Sequence, residues 1–366
     1  MRIGFDGNEA NVEERVGVSV YTLELLRYFS QQNTQLFDIF LRNTPLSHLP
    51  QSSPTLSYHV VWGPALWSRL FLPLSLMKKK LSCFFSPAHY APAFLNIPLV
   101  VTIHDLSFFS FPDEFRKRDL IKLQNWTKES VEKASTIIAV SKTTKKDIIK
   151  RYNIPEEKIQ VVYNGFEKHS FLPSVSNQKK ILASYQIESK EYLLYVGTIQ
   201  PRKNLTTLFQ AFVQLRHQYP NLKLVIAGKH GWMIEKTLIQ IKKLNIEENL
   251  VFTGYIPDEE LATLYSHARC LVFPSLYEGF GIPVLEAFSF GCPVVASFSS
   301  SLPEVGGSGC LYADPLKPSE FAEKISKIIS HKELRTELRK KAKDQLSLFS
   351  WKTCGKETLK ILSQYE

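Results

Sequence analysis

Short apolar runs alternate with amphipathic stretches along almost the whole chain. The runs are rich in β-branched residues and nearly continuous, which is typical of strands buried on both faces of a parallel sheet. Each run is followed by a stretch whose apolar residues recur at helical spacing. In 204–219, for example, Leu205, Leu208, Phe212 and Leu215 fall on one face and Asn204 is a candidate N-cap. The pattern predicts strands at 3–5, 38–41, 82–85, 99–103, 136–140, 160–163, 192–196, 223–227, 250–252, 270–273 and 294–296.

This repeated order predicts an α/β protein of two doubly wound, Rossmann-like domains that face each other across a cleft. The chain has 366 residues, more than one hydrophobic core usually holds. We expect an N-terminal domain over 1–170, a C-terminal domain over 191–349, and a linker over 171–190, where a strand signal is missing and Pro173 and Ser174 stand. The tail, 350–366, predicts a capped helix that packs back toward the N-terminal domain.

The segment 278–286, Glu-Gly-Phe-Gly-Ile-Pro-Val-Leu-Glu, follows a predicted strand and opens a predicted helix. Pro283 is favoured at the first helical position, and Glu286 would then lie in the first turn. Glycines let the backbone approach a ligand, and the helix end offers N–H groups to an anion. Two carboxylates beside an anion site suit the hydroxyls of a sugar joined to a diphosphate. The alternative is a purely structural glycine loop.

Three further segments carry candidate chemistry. Gly197 ends a predicted strand, and Arg202 and Lys203 follow at a helix start, where cations are disfavoured unless an anion lies nearby. His104 ends another strand, beside Asp105, although a lone histidine is more often structural. Gly17, before an amphipathic helix, could let backbone N–H groups approach a phosphate.

Composition narrows the class of protein. The net charge is +10, but the basic residues are widely spread, without the basic and aromatic interleaving of a nucleic-acid module. No apolar run reaches the roughly 20 residues of a membrane helix, and a secretory leader is missing, so we expect a cytoplasmic protein. The odd number of cysteines predicts reduced core thiols, and the Asn125 and Asn204 sequons are then chance matches.

The segment 70–80 joins apolar residues to three successive lysines, Lys78, Lys79 and Lys80. It could lie on an anionic membrane surface, which would make the protein peripheral at the inner face of the cytoplasmic membrane. The alternative is a partly buried helix with a solvated basic end, interrupted at Pro73.

The sequence has no G-x-G-x-x-G, no P-loop motif and no Asp-x-Asp. Dinucleotide binding, P-loop hydrolysis and a metal-bridged sugar nucleotide therefore lose support.

Taken together, the motifs resemble those of the retaining glycosyltransferases of family four, which have the two-domain GT-B fold. The resemblance covers nearly the whole chain. Its motifs are, in order, the glycine loop at Gly17, His-Asp-Leu at 104–106, Val-Ser-Lys at 140–142, Tyr-Asn-Gly at 163–165, Val-Gly-Thr at 196–198 with Pro-Arg-Lys-Asn at 201–204, and Pro-Ser at 274–275 followed by Glu278 and Glu286.

The resemblance implies a role for each candidate residue and no metal or other cofactor. Arg202 and Lys203, with Gly17 and Gly197, would bind the donor diphosphate, and Glu286 the ribose. Glu278, the backbone N–H groups of Phe280 and Gly281, and His104 would contact the transferred sugar. Thr198 stands where many relatives carry an arginine, so the charge rests on Arg202 and Lys203.

The residues of these motifs are most similar to those of bacterial mannosyltransferases of surface polysaccharide assembly. This resemblance implies a GDP-mannose donor and a glycan or lipid-linked acceptor. The N-terminal domain would bind the acceptor, and Arg116, Lys117 and Arg118 are candidate contacts or a solvated helix face. A UDP- or dTDP-sugar donor, an epimerase of the same fold and a non-catalytic sugar-nucleotide-binding scaffold are the alternatives.

Overall fold

The computed structural model describes residues 1–15, 17–63, 67–167, 172–229, 231 and 234–366. The chain forms two compact units. The first unit comprises Met1–Gly165 together with Phe349–Glu366, and the second comprises Phe166–Leu348. Val16 of the glycine loop and Phe171 at the start of the expected linker lie outside the described residues.

A parallel seven-stranded sheet forms the centre of the first unit. Its strand order is β3-β2-β1-β4-β5-β6-β7, so the order reverses between β1 and β4. The strands are β1 (Arg2–Asp6), β2 (Leu36–Leu41), β3 (Leu56–Val60), β4 (Cys83–Ser86), β5 (Leu99–Ile103), β6 (Thr136–Ala139) and β7 (Ile159–Val161).

The second unit repeats this design with six parallel strands. Their order is β10-β9-β8-β11-β12-β13, which reverses between β8 and β11. Ligands of open α/β sheets bind outside the carboxyl ends of the strands at such a reversal. The strands are β8 (Tyr192–Val196), β9 (Lys223–Ala227), β10 (Leu250–Gly254), β11 (Cys270–Phe273), β12 (Val294–Ser297) and β13 (Cys310–Ala313).

Helices connect the strands of both units. Those of the first unit are α1 (Val18–Ser30), α2 (Leu72–Leu76), α3 (Ser107–Ser110), α4 (Lys117–Lys133), α5 (Lys142–Tyr152) and, from the end of the chain, α14 (Trp351–Leu362). Those of the second unit are α6 (Val175–Ser184), α7 (Leu205–Arg216), α8 (Ile234–Leu244), α9 (Asp258–His267), α10 (Ile282–Ser289), α11 (Leu302–Gly306), α12 (Pro318–Ser330) and α13 (Lys332–Leu346).

The two doubly wound parallel sheets confirm the predicted fold class. All eleven predicted strands are present, but β3 and β13, each at a sheet edge, were not predicted. The segment 171–190, expected to be a linker, contains α6, which begins after Ser174 because that hydroxyl accepts a hydrogen bond from the Asn177 N–H. In the first unit α14 contributes Cys354, Ile361 and Leu362 to the core shared with β1 and α1.

Asn204 precedes α7 but does not cap it with its side chain. Its backbone adopts the left-handed conformation with φ 57°, and its amide donates instead to the carbonyl oxygens of Pro274 and Pro315 at 3.1 and 2.7 Å. The residue thus ties α7 to the loop after β11. All five cysteines are buried and unbridged, as expected of core thiols.

The segment 70–80 begins within a five-residue π-helical turn, Trp67–Phe71, which continues directly into α2. Pro73 lies in the first turn of α2, so it does not interrupt a helix there. Leu72 and Leu76 are buried, whereas Leu70, Leu74 and Met77 are exposed. Among the described residues, no helix is both long enough and apolar enough to cross a membrane.

Candidate functional site

Two loops of the second unit leave the sheet where its strand order reverses. One follows β8, passes Gly197, forms a 3-10 turn over Pro201–Lys203 and enters α7. The other follows β11 and leads through 274–281 into α10. The Leu276 N–H donates to the Arg202 carbonyl oxygen at 2.8 Å, so the backbones of the two loops are directly tied.

The loops bring together Arg202, Lys203 and Glu278. Lys203 Nζ lies 2.6 Å from Glu278 Oε1, and Arg202 Nη1 lies 3.5 Å from Oε2. The three side chains are largely buried, at 17%, 12% and 10% exposure, so solvent screens this cluster weakly. Glu278 therefore supplies an anion beside the two cations, where the sequence analysis expected one.

Two further contacts hold the cations. Arg202 Nη1 also donates to the Tyr277 carbonyl oxygen at 3.3 Å, and Lys203 Nζ lies 5.5 Å from the centre of the Phe273 ring. A cation over an aromatic face is stabilised by the ring quadrupole. Both cations are thus fixed by groups of β11 and its loop.

A serine run after β12 supports the glutamate loop. Ser300 Oγ accepts from the Glu278 N–H at 2.9 Å, and Ser301 Oγ lies 2.9 and 2.7 Å from the carbonyl oxygens of Glu278 and Phe280. Ser299 Oγ donates to the Ser275 carbonyl oxygen at 2.8 Å. The sequence analysis missed these residues, although three successive serines one residue after a buried strand are a recognisable signal.

Gly281 is the residue before α10 and has φ 112°, which favours glycine. A Cβ there would lie 2.7 Å from Leu302 Cδ2, so space also restricts the position. Pro283 has no N–H, and the Val284 N–H donates to the Gly281 carbonyl oxygen at 3.0 Å, so the helix end would attract an anion through its partial positive charge. The helix begins at Ile282, one residue before Pro283, and Glu286 therefore lies beyond the first turn rather than within it.

Glu286 is held by a residue that the sequence analysis did not identify. Its Oε2 accepts a hydrogen bond from the hydroxyl of the fully buried Tyr265 of α9 at 2.7 Å. Burial raises the pKa of Glu286, the Tyr265 hydrogen bond lowers it, and the Asp258 charge raises it further. The net direction is upward, so the site favours a protonated Glu286 more than water does.

In the first unit His104 directly follows β5, and its imidazole is neutral at pH 7. Burial lowers its pKa to about 4, with the neighbouring His89 adding to the shift. Nε2 lies 2.8 Å from the Pro87 carbonyl oxygen after β4, and since a carbonyl only accepts, Nε2 carries the proton. Nδ1 is therefore a hydrogen-bond acceptor.

Gly17 and His104 are linked through α1 within the first unit. Gly17 precedes α1 with φ 50°, and a Cβ there would meet no atom within 4 Å, so the space before the helix is open. Tyr21, one turn along α1, packs edge-on against His104 with ring centres 4.8 Å apart. Its hydroxyl lies 3.2 Å from Thr102 Oγ1 of β5. The start of α1 and His104 thus belong to one packed cluster.

The structure therefore groups the predicted residues by unit. Arg202, Lys203 and Glu278 form one cluster, flanked by Phe280 and Gly281, and Glu286 is anchored separately to Tyr265. The Gly197 N–H donates to the Ala227 carbonyl oxygen at 2.9 Å. Within the described residues, no group of three or more His, Cys, Asp and Glu side chains is placed to hold a metal ion. The basic residues at the start of α4 are exposed: Arg116, Lys117 and Arg118.

The chain matches a family profile described as Glycosyl transferases group 1 over residues 177–345, and one described as Glycosyltransferase Family 4 over residues 16–169. It is also 34% identical over 282 residues to O-antigen chain mannosyltransferase B of Escherichia coli, an alignment that covers 75% of this chain and 72% of that protein. The chain belongs to the family 4 glycosyltransferases. The enzyme is thus a glycosyltransferase, as the motifs predicted.

Further similarities agree with this assignment. The glycosyltransferase is 31% identical over 262 residues to O-antigen chain mannosyltransferase RfbU of Salmonella typhimurium, covering 72% of this chain and 68% of that one. The structure of HepE from Anabaena, determined in complex with UDP and glucose, superposes with a TM-score of 0.75 over 100% of both chains at 19% identity. That likeness shows the shared GT-B fold.

Proposed function

We propose that the enzyme transfers mannose from GDP-mannose, with retention of configuration and without a metal, to a glycan or lipid-linked acceptor in polysaccharide or lipopolysaccharide synthesis. The observation that carries this proposal is the cluster of Arg202, Lys203 and Glu278 beside the start of α10. Mannose is supported by the two O-antigen mannosyltransferases, which align with about three quarters of the chain.

The donor diphosphate would bind to Arg202 and Lys203. The positive charges of Arg202 and Lys203, with the partial positive charge of the α10 end, would attract a phosphate. Gly17 and Gly197 would let backbone N–H groups approach the phosphate oxygens. The same cations would stabilise the leaving diphosphate, which is the task that a metal performs in other transferases.

The sugar and the ribose would contact separate acceptors. Glu278, held by Lys203, would accept hydroxyl hydrogen bonds from the sugar, and the N–H groups of Phe280 and Gly281 would donate to it. His104 of the first unit would accept a sugar hydroxyl at Nδ1, because Nε2–H is engaged by Pro87. Glu286 in its ionised form would bind the ribose hydroxyls, oriented by Tyr265.

In the reaction, the bond between the sugar's anomeric carbon and the diphosphate oxygen breaks as the acceptor oxygen bonds to the same face of that carbon. The acceptor proton passes to the leaving phosphate oxygen. Arg202 and Lys203 would stabilise the charge that builds on that oxygen. Attack on the face of the leaving group retains the configuration.

A donor panel tests the nucleotide. Thermal unfolding would be measured with GDP-, UDP-, ADP- and dTDP-sugars, without metal, for the wild type, Arg202→Ala/Lys203→Ala and the control Lys179→Ala/Lys180→Ala, which removes two exposed cations of α6. A ligand that binds the folded state raises the melting temperature. We expect GDP-mannose to do so for the wild type and the control only. A shift in melting temperature with a UDP- or dTDP-sugar alone would identify that sugar, rather than GDP-mannose, as the donor. No shift with any of the sugars would favour the scaffold alternative.

Two further measurements test the mechanism. Transfer is expected to persist in a chelator, since fixed cations neutralise the diphosphate; its restoration by added divalent metal alone would contradict that. The product would be examined by NMR, where the one-bond coupling between the anomeric carbon and its proton gives the configuration. An inverted product would overturn the retaining mechanism.

We also propose that the 70–80 segment touches an anionic membrane that holds the acceptor. Leu70, Leu74 and Met77 are 44%, 53% and 66% exposed, and the exposed Lys78 and Lys80 follow them. Apolar groups that dip into the interface beside lysines bind anionic lipid. Leu74→Ser/Met77→Ser should reduce sedimentation with phosphatidylglycerol vesicles, whereas Leu316→Ser, an exposed residue of the second unit, should not. Equal binding by both variants would contradict the assignment.

A further inference from the structure

A second group of cations lies at the opposite, amino-terminal edge of the sheet in the second unit. Lys190 stands shortly before β8, and Arg269 directly before the neighbouring strand β11. On α13, Lys332, Arg335 and Arg339 recur at helical spacing and therefore lie on one face. These five residues, with Thr336, line one cavity of about 200 Å³. We refer to them as the amino-edge cluster.

The amino-edge cluster lacks a close carboxylate partner in the part of the chain that the structure describes. Among the described residues, none of the five cations forms an ion pair within 4 Å, although the other basic residues of α13 include Lys341, which pairs with Glu337 at 2.5 Å. Glu191 and Glu333, adjacent in sequence to the cluster, are exposed; the Glu191 charge raises the pKa of Arg269, but burial and the Arg335 charge outweigh it and the net direction is downward. Burial and the charges of Arg339, Arg269 and Arg335 lower the pKa of Lys190, which is the sign of mutual repulsion.

Helix ends account for only part of the charge. Lys190 Nζ donates to the Ser266 and Ala268 carbonyl oxygens at the end of α9, Arg335 Nη1 to those of Ile328 and Ile329 in α12, and Arg339 Nε to that of Gly291 after α10. Each helix carboxyl end carries roughly half a negative charge, so three ends supply about −1.5 against five full positive charges. A helix-capping role therefore leaves most of the positive charge without a counterpart.

Arg269 and Lys332 differ from the other three cations of the amino-edge cluster in their hydrogen bonding. In the described part of the chain, the Arg269 and Lys332 side chains make no hydrogen bond, and Arg269 Nε is buried without a partner. A buried N–H of a charged guanidinium is costly to leave unpaired. Its planar fork matches the oxygens of a phosphate, which could satisfy Nε and a terminal nitrogen together.

The size of the cavity limits the ligand. A volume of about 200 Å³ is below the roughly 300–1,000 Å³ of pockets that enclose a whole small ligand. We propose that the amino-edge cluster binds a phosphate or diphosphate group, with Arg269 and Lys332 as its direct contacts. The group could belong to a small free ligand or to a phospholipid headgroup. This site lies at the opposite sheet edge from the proposed donor site and is independent of it.

Calorimetric titration with inorganic pyrophosphate tests the site. The proteins are the wild type, Arg269→Gln/Lys332→Gln, the single exposed variant Lys332→Gln, and the charge-matched control Lys242→Gln/Lys243→Gln on α8, whose two lysines are exposed. Lost hydrogen bonds to charged groups predict binding weakened about tenfold or more in the double variant, and a smaller loss in Lys332→Gln. The control should bind like the wild type.

The unliganded proteins give a second readout. Because the double variant removes repelling charges and breaks no hydrogen bond, its melting temperature without pyrophosphate should equal or exceed that of the wild type. With pyrophosphate the order should reverse. Binding lost in Arg202→Ala/Lys203→Ala but unchanged in Arg269→Gln/Lys332→Gln would assign the ligand to the donor site and overturn the proposal.

Vesicles distinguish the two sources of phosphate. In the Leu74→Ser/Met77→Ser background, phosphatidylglycerol and phosphatidylcholine vesicles would be compared with and without Arg269→Gln/Lys332→Gln. Cluster-dependent binding to phosphatidylglycerol alone, with no pyrophosphate binding, assigns the group to a lipid headgroup. Pyrophosphate binding without vesicle binding assigns it to a small ligand. If Arg269→Gln/Lys332→Gln and the Lys242→Gln/Lys243→Gln control agree in both pyrophosphate binding and vesicle binding, the site does not exist.

Discussion

The two units share one strand order but place opposite chemistry at the carboxyl ends of their strands. In the second unit this edge is charged, because Arg202 and Lys203 are held against Glu278. In the first unit the two histidine rings at this edge are neutral, because burial lowers the pKa of both His89 and His104, and the Tyr21 ring packs edge-on against His104. A single architecture therefore presents a fixed charge pair on one unit and neutral polar rings on the other.

This difference fits a division of tasks. A diphosphate needs cations that keep their charge in a poorly solvated site, which paired arginine and lysine provide. A sugar hydroxyl needs an acceptor that does not change its charge near neutral pH, which an imidazole with a lowered pKa provides. The contrast predicts that variants of the second unit alter charge balance, and variants of the first unit alter pH dependence.

Lys203→Met should have the largest effect. Among the described residues, the buried Glu278 would keep the more distant Arg202 as its ion-pair partner, and breaking a buried pair in this way costs about 3–5 kcal/mol of unfolding free energy. Transfer should also fall below detection, since the main diphosphate cation is lost. Urea unfolding and product formation measure the two effects.

The double variant Lys203→Met/Glu278→Gln is the control for that experiment. Removing both charges should restore most of the stability but none of the activity. If the single variant is as stable as the wild type, the pair does not hold the two loops together.

His104→Gln should change stability mainly in acid. The folded-state pKa is about 4 against the ordinary 6.5, so the unfolded chain binds more protons between these values. The stabilisation by neutral His104 is present above pH 6.5 and is lost as the pH falls to about 4, a change of up to roughly 3 kcal/mol. Unfolding measured from pH 7 to pH 4 should therefore decline less steeply in the variant.

His217→Gln, which changes an exposed histidine of the second unit, is the matched control and should leave the decline unchanged. A wild-type transfer rate that drops with an inflection near pH 6.5, and loses that inflection in His104→Gln, would show a charged imidazole. That outcome would contradict the assignment of a neutral His104 to the first unit.

Glu278→Gln separates the two proposed roles of this carboxylate. With its negative charge gone, Arg202 and Lys203 are no longer balanced, and the nucleoside diphosphate should bind more tightly. The transferred sugar loses a charged acceptor, so transfer should slow by roughly 10- to 100-fold. Equilibrium titration and initial rates would be compared; weaker binding of the nucleoside diphosphate would mean that Glu278 organises the cations rather than competing with the phosphate.

The sequence predicted the fold more completely than the contacts of the candidate site residues. Apolar runs located eleven strands but missed β3, where Leu-Ser-Tyr-His-Val contains no continuous apolar run, and the four-residue strand β13. Lys203 and Glu278 were each singled out, yet their pairing joins positions far apart in the chain and depends on which strands are neighbours. Tyr265 is buried in an ordinary amphipathic helix, so nothing local marks its bond to Glu286.

Tyr265→Phe should give the smallest effect and tests that missed contact. Losing a hydrogen bond to a carboxylate costs about 1.5–3 kcal/mol at most, and the pKa of Glu286 should rise further. A raised carboxyl pKa contributes stability at low pH that is lost as the pH rises through it, so the variant's deficit should be largest at neutral pH and small in acid. Nucleotide binding, which needs ionised Glu286, should fail at a higher pH than in the wild type as the solution is acidified.

Tyr185→Phe is the matched control for Tyr265→Phe. It removes a comparable tyrosine–glutamate hydrogen bond, to Glu260 at 2.5 Å, and should leave nucleotide binding unchanged. If both variants shift binding equally, Glu286 is a structural carboxylate, and the ribose contact must be sought elsewhere in the second unit.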